Sequence, residues 1–280
     1  LRCRAVDDGA GGFVLNGQKI WTSQGPTATR FLALVRTGTP ESRHRGLSTL
    51  LVDADSPGVT VRPIALASGR RELAEVFFDD VRVPRERLIG DADGGWAVVM
   101  HLMQYERGMY GYATLTTALT ELSWLRGEMA VHGSSSAGRR RFAQIYVAVL
   151  AAQARAATTV RALAEGRAVG PNSSVDKLLF AKAEKDINDL ILDTRRDWMI
   201  TGVAPAATSS SGAAPAATSG SGAAPAATSS SGVGGGGSKE LDAVRAKWWY
   251  TRAATIMGGS AEVQRGIIAD HLLGLPKEKR

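Results

Sequence analysis

Three short stretches carry side chains that could do chemistry. In "MQYERGMYG", Glu106 falls among Val99, Leu102, Met103, Met109, Tyr110 and Ala113, apolar residues spaced by threes and fours. On a helix that spacing draws one apolar stripe with a carboxylate in its middle. Burial disfavours the charged form, so such a group either meets a cation or stands ready as a base near the working pH. Arg107 follows directly, but adjacent helical residues point about 100° apart, which makes it a poor direct partner. The competing reading puts Glu106 in an internal salt bridge or at the wet edge of the stripe.

In "IMGGSAEVQRGIIADHLLGLP", Gly258 and Gly259 precede a helical run. Paired glycines let a backbone approach a phosphate or ring closely, and a helix N-terminus favours an anion. Ser260 reads equally well as an ordinary N-cap, and the two roles are compatible. The third stretch, "IWTSQG", holds Trp21, Thr22 and Ser23 on a β-rich run. Taken alone, a Trp in an alternating strand packs in a core, and a strand Ser or Thr is a surface residue. Asp270 and His271, within "IIADHLLG", read as surface or interface groups. No second ligand lies three or four residues from His271, so no metal site is expected.

The elements that must hold these residues fall into two kinds. From Gly12 to Pro84 the sequence shows short β-rich runs punctuated by turn residues, which predicts a mostly antiparallel β domain. Asn16-Gly17 between two such runs predicts a tight hairpin, because both central residues of that turn need positive φ. After Asp93-Gly94-Gly95 the period changes to about 3.6, with Ala- and Leu-rich segments near 96–132, 139–166, 174–200 and 240–256. Helices of this length joined by short loops predict an antiparallel bundle. The expected class is α+β multidomain: β domain 1–90, first part of the helical bundle 91–202, a low-complexity insertion 203–238 and the last part of the bundle 239–280. The insertion repeats "VAPAATSSSG", "AAPAATSGSG" and "AAPAATSSSG" in tandem and ends in "VGGGGS". Such tracts cannot bury a core and read as flexible tether, of engineered or recently expanded origin, with a sticky interaction segment as the alternative.

Composition narrows the classes further. The chain has 280 residues, 44% of them hydrophobic, enough for one large or two moderate cores. No uncharged apolar run approaches the roughly 18 residues of a membrane span, and "LRCRAVDDGAGG" has no signal-peptide core. The missing initiator Met points to a fragment. A single cysteine, Cys3, rules out an intrachain disulfide and fits a reducing cytoplasm, so any redox chemistry must come from a cofactor. The formal charge of +7 is scattered apart from "GRRRF", which argues against nucleic-acid binding.

Three segments together resemble the acyl-CoA dehydrogenase family: "LNGQKIWTSQG", "GVTVRPI" through "AEVFFDDVRVPRERLIGDADGGW", and "RAATIMGGSAEVQRGIIADHLLGLP". They cover nearly all of the chain outside the repeats. The resemblance implies a middle β domain, a C-terminal antiparallel four-helix bundle and bound FAD. It also implies α,β-dehydrogenation of an acyl-CoA thioester to a trans-2-enoyl-CoA. In that reading Trp21 lies against the flavin ring, Ser23 near its reactive nitrogen and Thr22 beside them, while Gly259, Ser260 and Glu262 contact its ribityl and adenylate parts. Many members carry the catalytic glutamate at the position matching Gly258, which has no side chain to accept a proton. A minority keep it on the first bundle helix before an arginine, the place of Glu106 and Arg107. The resemblance thus makes Glu106 the base and Arg107 a residue beside the pantetheine or supporting the base.

Other departures shape the expectation. The family's N-terminal helical domain and the segment opening its β domain are missing, which leaves one wall of the acyl pocket and part of the flavin cradle unaccounted for. "GSSSAGRRRF" replaces the segment that reaches a neighbour's FAD, with Arg141 and Phe142 as substitutes, and the repeat follows Thr201 and Gly202, where members have a glycine-rich turn. Weak or no FAD retention is expected of the chain as it stands. "SSVDKL" resembles actinobacterial members acting on sterol or unusual acyl-CoAs, some as mixed-subunit tetramers. The implied partners are an acyl-CoA, an electron-transfer flavoprotein or similar acceptor, and a homo- or hetero-tetramer. The alternative is a non-catalytic partner subunit of a heteromeric acyl-CoA dehydrogenase.

Overall fold

A computed structural model describes residues 1–201 and 236–276. The chain divides into two compact units, Leu1–Met103 and Gln104–Arg280. Most of the repetitive insertion lies outside the described residues.

The first unit is built from β1 (Arg4–Asp7), β2 (Phe13–Ser23), β3 (Arg30–Arg36), β4 (Leu47–Asp53), β5 (Val59–Ile64), β6 (Leu73–Val83) and β7 (Leu88–Ile89). They form one sheet in the order β5-β6-β2-β1-β3-β4-β7. Alternation sets its faces: Phe31, Ala33 and Val35 of β3 are buried at every second position, as are Ala74, Val76 and Phe78 of β6. These side chains join Leu15, Leu50 and Val52 in a single core. The ladders are antiparallel except for one parallel rung, Arg4 with Arg36, between β1 and β3.

The Asn16-Gly17 hairpin is corrected by the structure. Both residues lie inside the uninterrupted strand β2, which pairs with β1 on one side and β6 on the other, and the β2–β6 register slips between Leu15 and Gly17. Gly17 has φ of 129°, and a Cβ there would sit 2.8 Å from Cys3 Cα. The glycine therefore serves a bulge and a close backbone approach rather than a turn. Asn16 Nδ2 donates to Asp80 Oδ1 at 2.9 Å, and the Asp80 amide donates back to Asn16 Oδ1 at 2.9 Å, which pins the bulge across the sheet.

The second unit is helical: α1 (Gly95–His132, entering from the preceding segment), α2 (Ser136–Ala164), α3 (Asn172–Thr194), α4 (Arg196–Thr201), α5 (Gly236–Thr251) and α6 (Ala261–His271). The third expected helix breaks at Arg195 (φ −125°), giving α3 and α4. Helix α5 takes in Gly236–Ser238, residues read from sequence as the end of the tether. Gly108, Gly111, Leu115, Ala118, Leu122, Leu125 and Met129 form the inward face of α1, in strict three-four spacing. From Leu115 onward they pack with Ile145, Val149 and Ala156 of α2 and with Phe180, Ile187 and Leu190 of α3.

That inward face is not the stripe expected around Glu106. Leu102 is 44% and Met109 57% exposed, and Ala113 is exposed as well. Glycines decide the difference. A Cβ on Gly108 would lie 2.8 Å from Leu163 Cδ1, and one on Gly111 3.0 Å from the Phe180 ring, so the side of α1 without side chains is the side that packs. Among the described residues no helix is long and apolar enough to cross a membrane.

Candidate functional site

In the first unit, Trp21, Thr22 and Ser23 end β2 at a second register slip against β6, between Lys19 and Thr22. Trp21 has φ of 61° and its ring is 60% exposed, so the indole is not a core residue as an alternating strand would have it. A non-glycine residue in the left-handed region holds roughly 1–3 kcal/mol of local strain, and such strain concentrates at functional positions. Thr22 is half-buried and Ser23 exposed, each in register with β6 at Ala74 and Leu73. Gln24 follows with φ of 58°, its amide bonded to Glu72 O at 2.8 Å, and Gly25 is buried where a Cβ would meet Ala74 Cβ at 2.7 Å. "WTSQG" thus presents a flat aromatic ring and a hydroxyl to solvent.

In the second unit the glycine turn is held by Gln264 of α6. Gly258 (φ 65°) and Gly259 (φ 99°) adopt a backbone that side chains strain. Their amides make no hydrogen bond among the described residues, which leaves two adjacent donors free. Gln264, fully buried, reaches back from α6 to donate to Gly258 O at 3.4 Å. A Cβ on Gly259 would lie 2.3 Å from Gln264 Nε2, so only glycine fits between them. Gln264 Oε1 is buried without a hydrogen-bond partner, as is Arg107 Nε. Ser260 is the N-cap of α6, accepting from the Val263 amide at 3.3 Å. Glu262 is exposed in its first turn, where its own backbone amide and Ser260 hold the carboxyl below its ordinary range.

Glu106 projects from the exposed side of α1, and Arg107 is half-buried with a terminal nitrogen 4.0 Å from the place of a Gly259 Cβ. From α3, the buried Lys177 donates to Ala254 O and lies over the Phe180 ring, 4.8 Å from its centroid. Burial lowers the Lys177 pKa, the charges of Glu184 and Glu106 oppose that, and Arg107 adds to it. Burial pushes the Glu184 carboxyl up to about 7, with Lys177 pulling the other way. Tyr110, T-stacked on Phe180, is raised by burial and by Glu184. Beside Gly259 opens a groove of about 320 Å³ whose lining includes Lys177, Lys182, Lys185 and Arg265 together with Asp186, which pairs with Lys182.

Lys177 and Arg107 therefore both border the turn, while Glu106 stands exposed on α1 and, on α6, Asp270 is half-buried and His271 exposed. Arg141 is engaged by Asp193 at 2.5 Å and Phe142 stacks on Tyr146, so both are used within the unit. Lys177, Glu184 and Gln264 escaped sequence reasoning. The first two could have been found: they are seven residues apart and share one stripe of α3 with Phe180, Ala181 and Ile187, an odd place for two charges.

Glu184 gives a signed prediction. Its folded pKa lies above the ordinary 4.5, so its contribution to stability is full below that value and is lost as pH rises through about 7. Glu184→Gln is expected to raise stability at pH 8 by up to about 3 kcal/mol and to change it little at pH 4. Urea midpoints at the two pH values measure this, and an equal effect at both would refute it.

Comparison with known proteins follows the same two-part layout. Residues 2–81 match the acyl-CoA dehydrogenase middle domain. The chain is 33% identical over 273 residues to acyl-CoA dehydrogenase IpdE1 of Mycobacterium tuberculosis, covering 96% of this chain and 61% of that protein. It is 32% identical over 272 residues to IpdE1 of Mycolicibacterium smegmatis, covering 95% and 58%. The chain thus spans less than two thirds of the length of these curated relatives. Among solved structures, the Tcur3481-Tcur3483 steroid ACAD superposes with a TM-score of 0.73 at 21% identity, covering 99% of this chain and 64% of that one. The ChsE4-ChsE5 complex from Mycobacterium tuberculosis gives 0.71 at 22% identity, covering 99% and 65%. At such identity the likeness speaks to the fold alone.

Proposed function

The chain belongs to the acyl-CoA dehydrogenase family, and from that premise we propose that it serves the FAD-dependent α,β-dehydrogenation of an acyl-CoA to a trans-2-enoyl-CoA, with Glu106 as the base. One observation carries the assignment of the base. Gly258 has no side chain to accept a proton, while Glu106 stands on the exposed side of α1 directly before Arg107, whose terminal nitrogen lies 4.0 Å from the place of a Gly259 Cβ.

Each unit by itself offers groups suited to part of a flavin cofactor. In the first, the outward Trp21 ring is a stacking surface with Thr22 and Ser23 beside it. In the second, the Gly259 cradle and the lysine-bearing groove beside it suit hydroxyl or phosphate groups. Ser260 and Glu262 stand at the mouth of that cradle. When bound, FAD supplies the hydride acceptor. The chain's own task is the acidic α C–H: Glu106 takes the proton, and the free amides of Gly258 and Gly259 are donors for the carbonyl oxygen that gains charge. Arg107 reads as a support for the turn or a contact to the pantetheine.

The resemblance of "SSVDKL" to actinobacterial members supports a sterol-derived or similarly bulky acyl-CoA and a mixed-subunit assembly, in lipid catabolism. An electron-transfer flavoprotein or similar acceptor would reoxidise the flavin, and the lone buried Cys3 suits a cytoplasmic setting. The test is reconstitution with FAD followed by an acyl-CoA panel, read as flavin bleaching. Bleaching by at least one acyl-CoA is expected. Its absence with all of them, alongside tight association with a related chain, would instead establish a non-catalytic partner subunit.

Trp21→Ala is expected to weaken FAD retention about tenfold, the equivalent of one lost aromatic stacking contact. Stability should hold, because the ring is largely exposed. Fluorescence titration with FAD checks this, and unchanged affinity would remove Trp21 from the cofactor site.

A further inference from the structure

The groove beside Gly259 runs between α3 and the residues that lead into α6. Leu178, Ala181, Lys182 and Lys185 lie at spacings of three and four, so they share the side of α3 that lines it. Gly259, Ala261 and Arg265 line it from across. Four of its lining residues are cationic and one, Asp186, is acidic. Asp186 is engaged by Lys182 at 2.5 Å. Arg265 meets Glu262 at 3.7 Å, and both are so exposed that the pair holds little. Lys185 makes no ion pair among the described residues. The buried Lys177 gives one of its three ammonium donors to Ala254 O. Like charges gathered along a concave wall repel one another and attract a polyanion, since a cleft lined by one sign focuses the field. Leu178, Ala181 and Ala261 leave the rest of the wall apolar, and at about 320 Å³ the groove falls at the lower end of small-molecule sites.

We infer that this α3–α6 groove binds the diphosphate of a nucleotide, with the phosphates held by Lys182, Lys185 and Arg265 and the neutral part laid on Leu178, Ala181 and Ala261. The site lies wholly in the second unit and needs neither the residues of β2 nor Glu106. A merely solvated set of lysines would lie along one convex helix face, each matched by a carboxylate a turn away. Here the cations come from two separate elements and converge on one concavity. Cations on both walls favour two linked phosphates over a single one, because each phosphate can then meet its own wall. The family reading supplies two sources of a nucleotide diphosphate, FAD and the CoA of the substrate, and the inference rests on that reading only in naming them.

Calorimetric titration of the whole chain with ADP tests this. Saturable one-site binding is expected, weakened roughly tenfold or more in the double variant Lys185→Gln/Arg265→Gln, which removes two charge-assisted contacts. Binding should be unchanged in Arg161→Gln, which removes an exposed cation of α2 that does not line the groove. Arg265→Gln alone alters a side chain that is 67% exposed, so it should keep the parent's urea midpoint while losing affinity. No saturation with ADP, parental affinity in both groove variants, or an equal loss in Arg161→Gln overturns the inference. Competition then separates the sources. Displacement of ADP by FAD and not by CoA assigns the groove to the cofactor, the reverse assigns it to the substrate, and displacement by both reflects the diphosphate that they share. Displacement by riboflavin or pantetheine, which carry no phosphate, or by neither FAD nor CoA, overturns it. Flavin bleaching keeps the two levels apart: bleaching without ADP binding removes the groove alone, whereas ADP binding without bleaching by any acyl-CoA leaves the groove and removes the catalytic reading.

Discussion

Glu106→Gln should slow α-proton removal from an acyl-CoA by roughly 10²- to 10⁴-fold, the range for loss of one well-placed general base. Gln keeps the size and hydrogen-bonding shape of Glu but cannot accept the proton, so the loss should fall on kcat with KM nearly unchanged. Stability should move by less than about 0.5 kcal/mol, because the side chain is exposed and lies outside the packed face of α1. Exchange of an α-deuterium in a bound acyl-CoA reads the proton step directly, and flavin bleaching reads the coupled step. Parental exchange would take Glu106 out of the chemistry. A rate loss accompanied by early melting would mean that the exposed carboxylate supports the fold after all.

The architecture was largely legible because it depends on period. Four helical segments and a set of alternating strands follow from residue spacing alone, and their observed bounds differ mainly where one side chain or backbone angle intervenes, as at Arg195. What spacing cannot carry is proximity between distant segments. Asn16-Gly17 has the sequence of a hairpin turn, but Cys3 at 2.8 Å and Asp80 across the sheet make it a bulge, and neither neighbour is visible locally. Trp21 alternates like a core residue, but it sits at a register slip with a positive φ and its side chain is exposed. In the candidate site, Gly259, Ser260, Glu106 and Arg107 were marked by motif. Lys177 and Gln264 were not, because their meaning depends on a turn folding back over α3.

The largest stability difference expected follows from the choice of face on α1. Periodicity counts apolar side chains and so favours the stripe of Leu102 and Met109, while the structure buries the stripe begun by Gly108 and Gly111. Two chemically identical substitutions distinguish these arrangements. Leu115→Ala empties a fully buried site among α1, α2 and α3, where loss of transfer energy and an unfilled cavity together cost about 2–5 kcal/mol. Leu102→Ala removes a side chain that is 44% exposed and should cost less than about 1 kcal/mol. Urea denaturation of the two variants beside the parent measures both. If Leu102→Ala proved as damaging as Leu115→Ala, α1 would be rotated, Glu106 would lie inside the bundle, and its carboxylate would need a buried partner rather than a substrate.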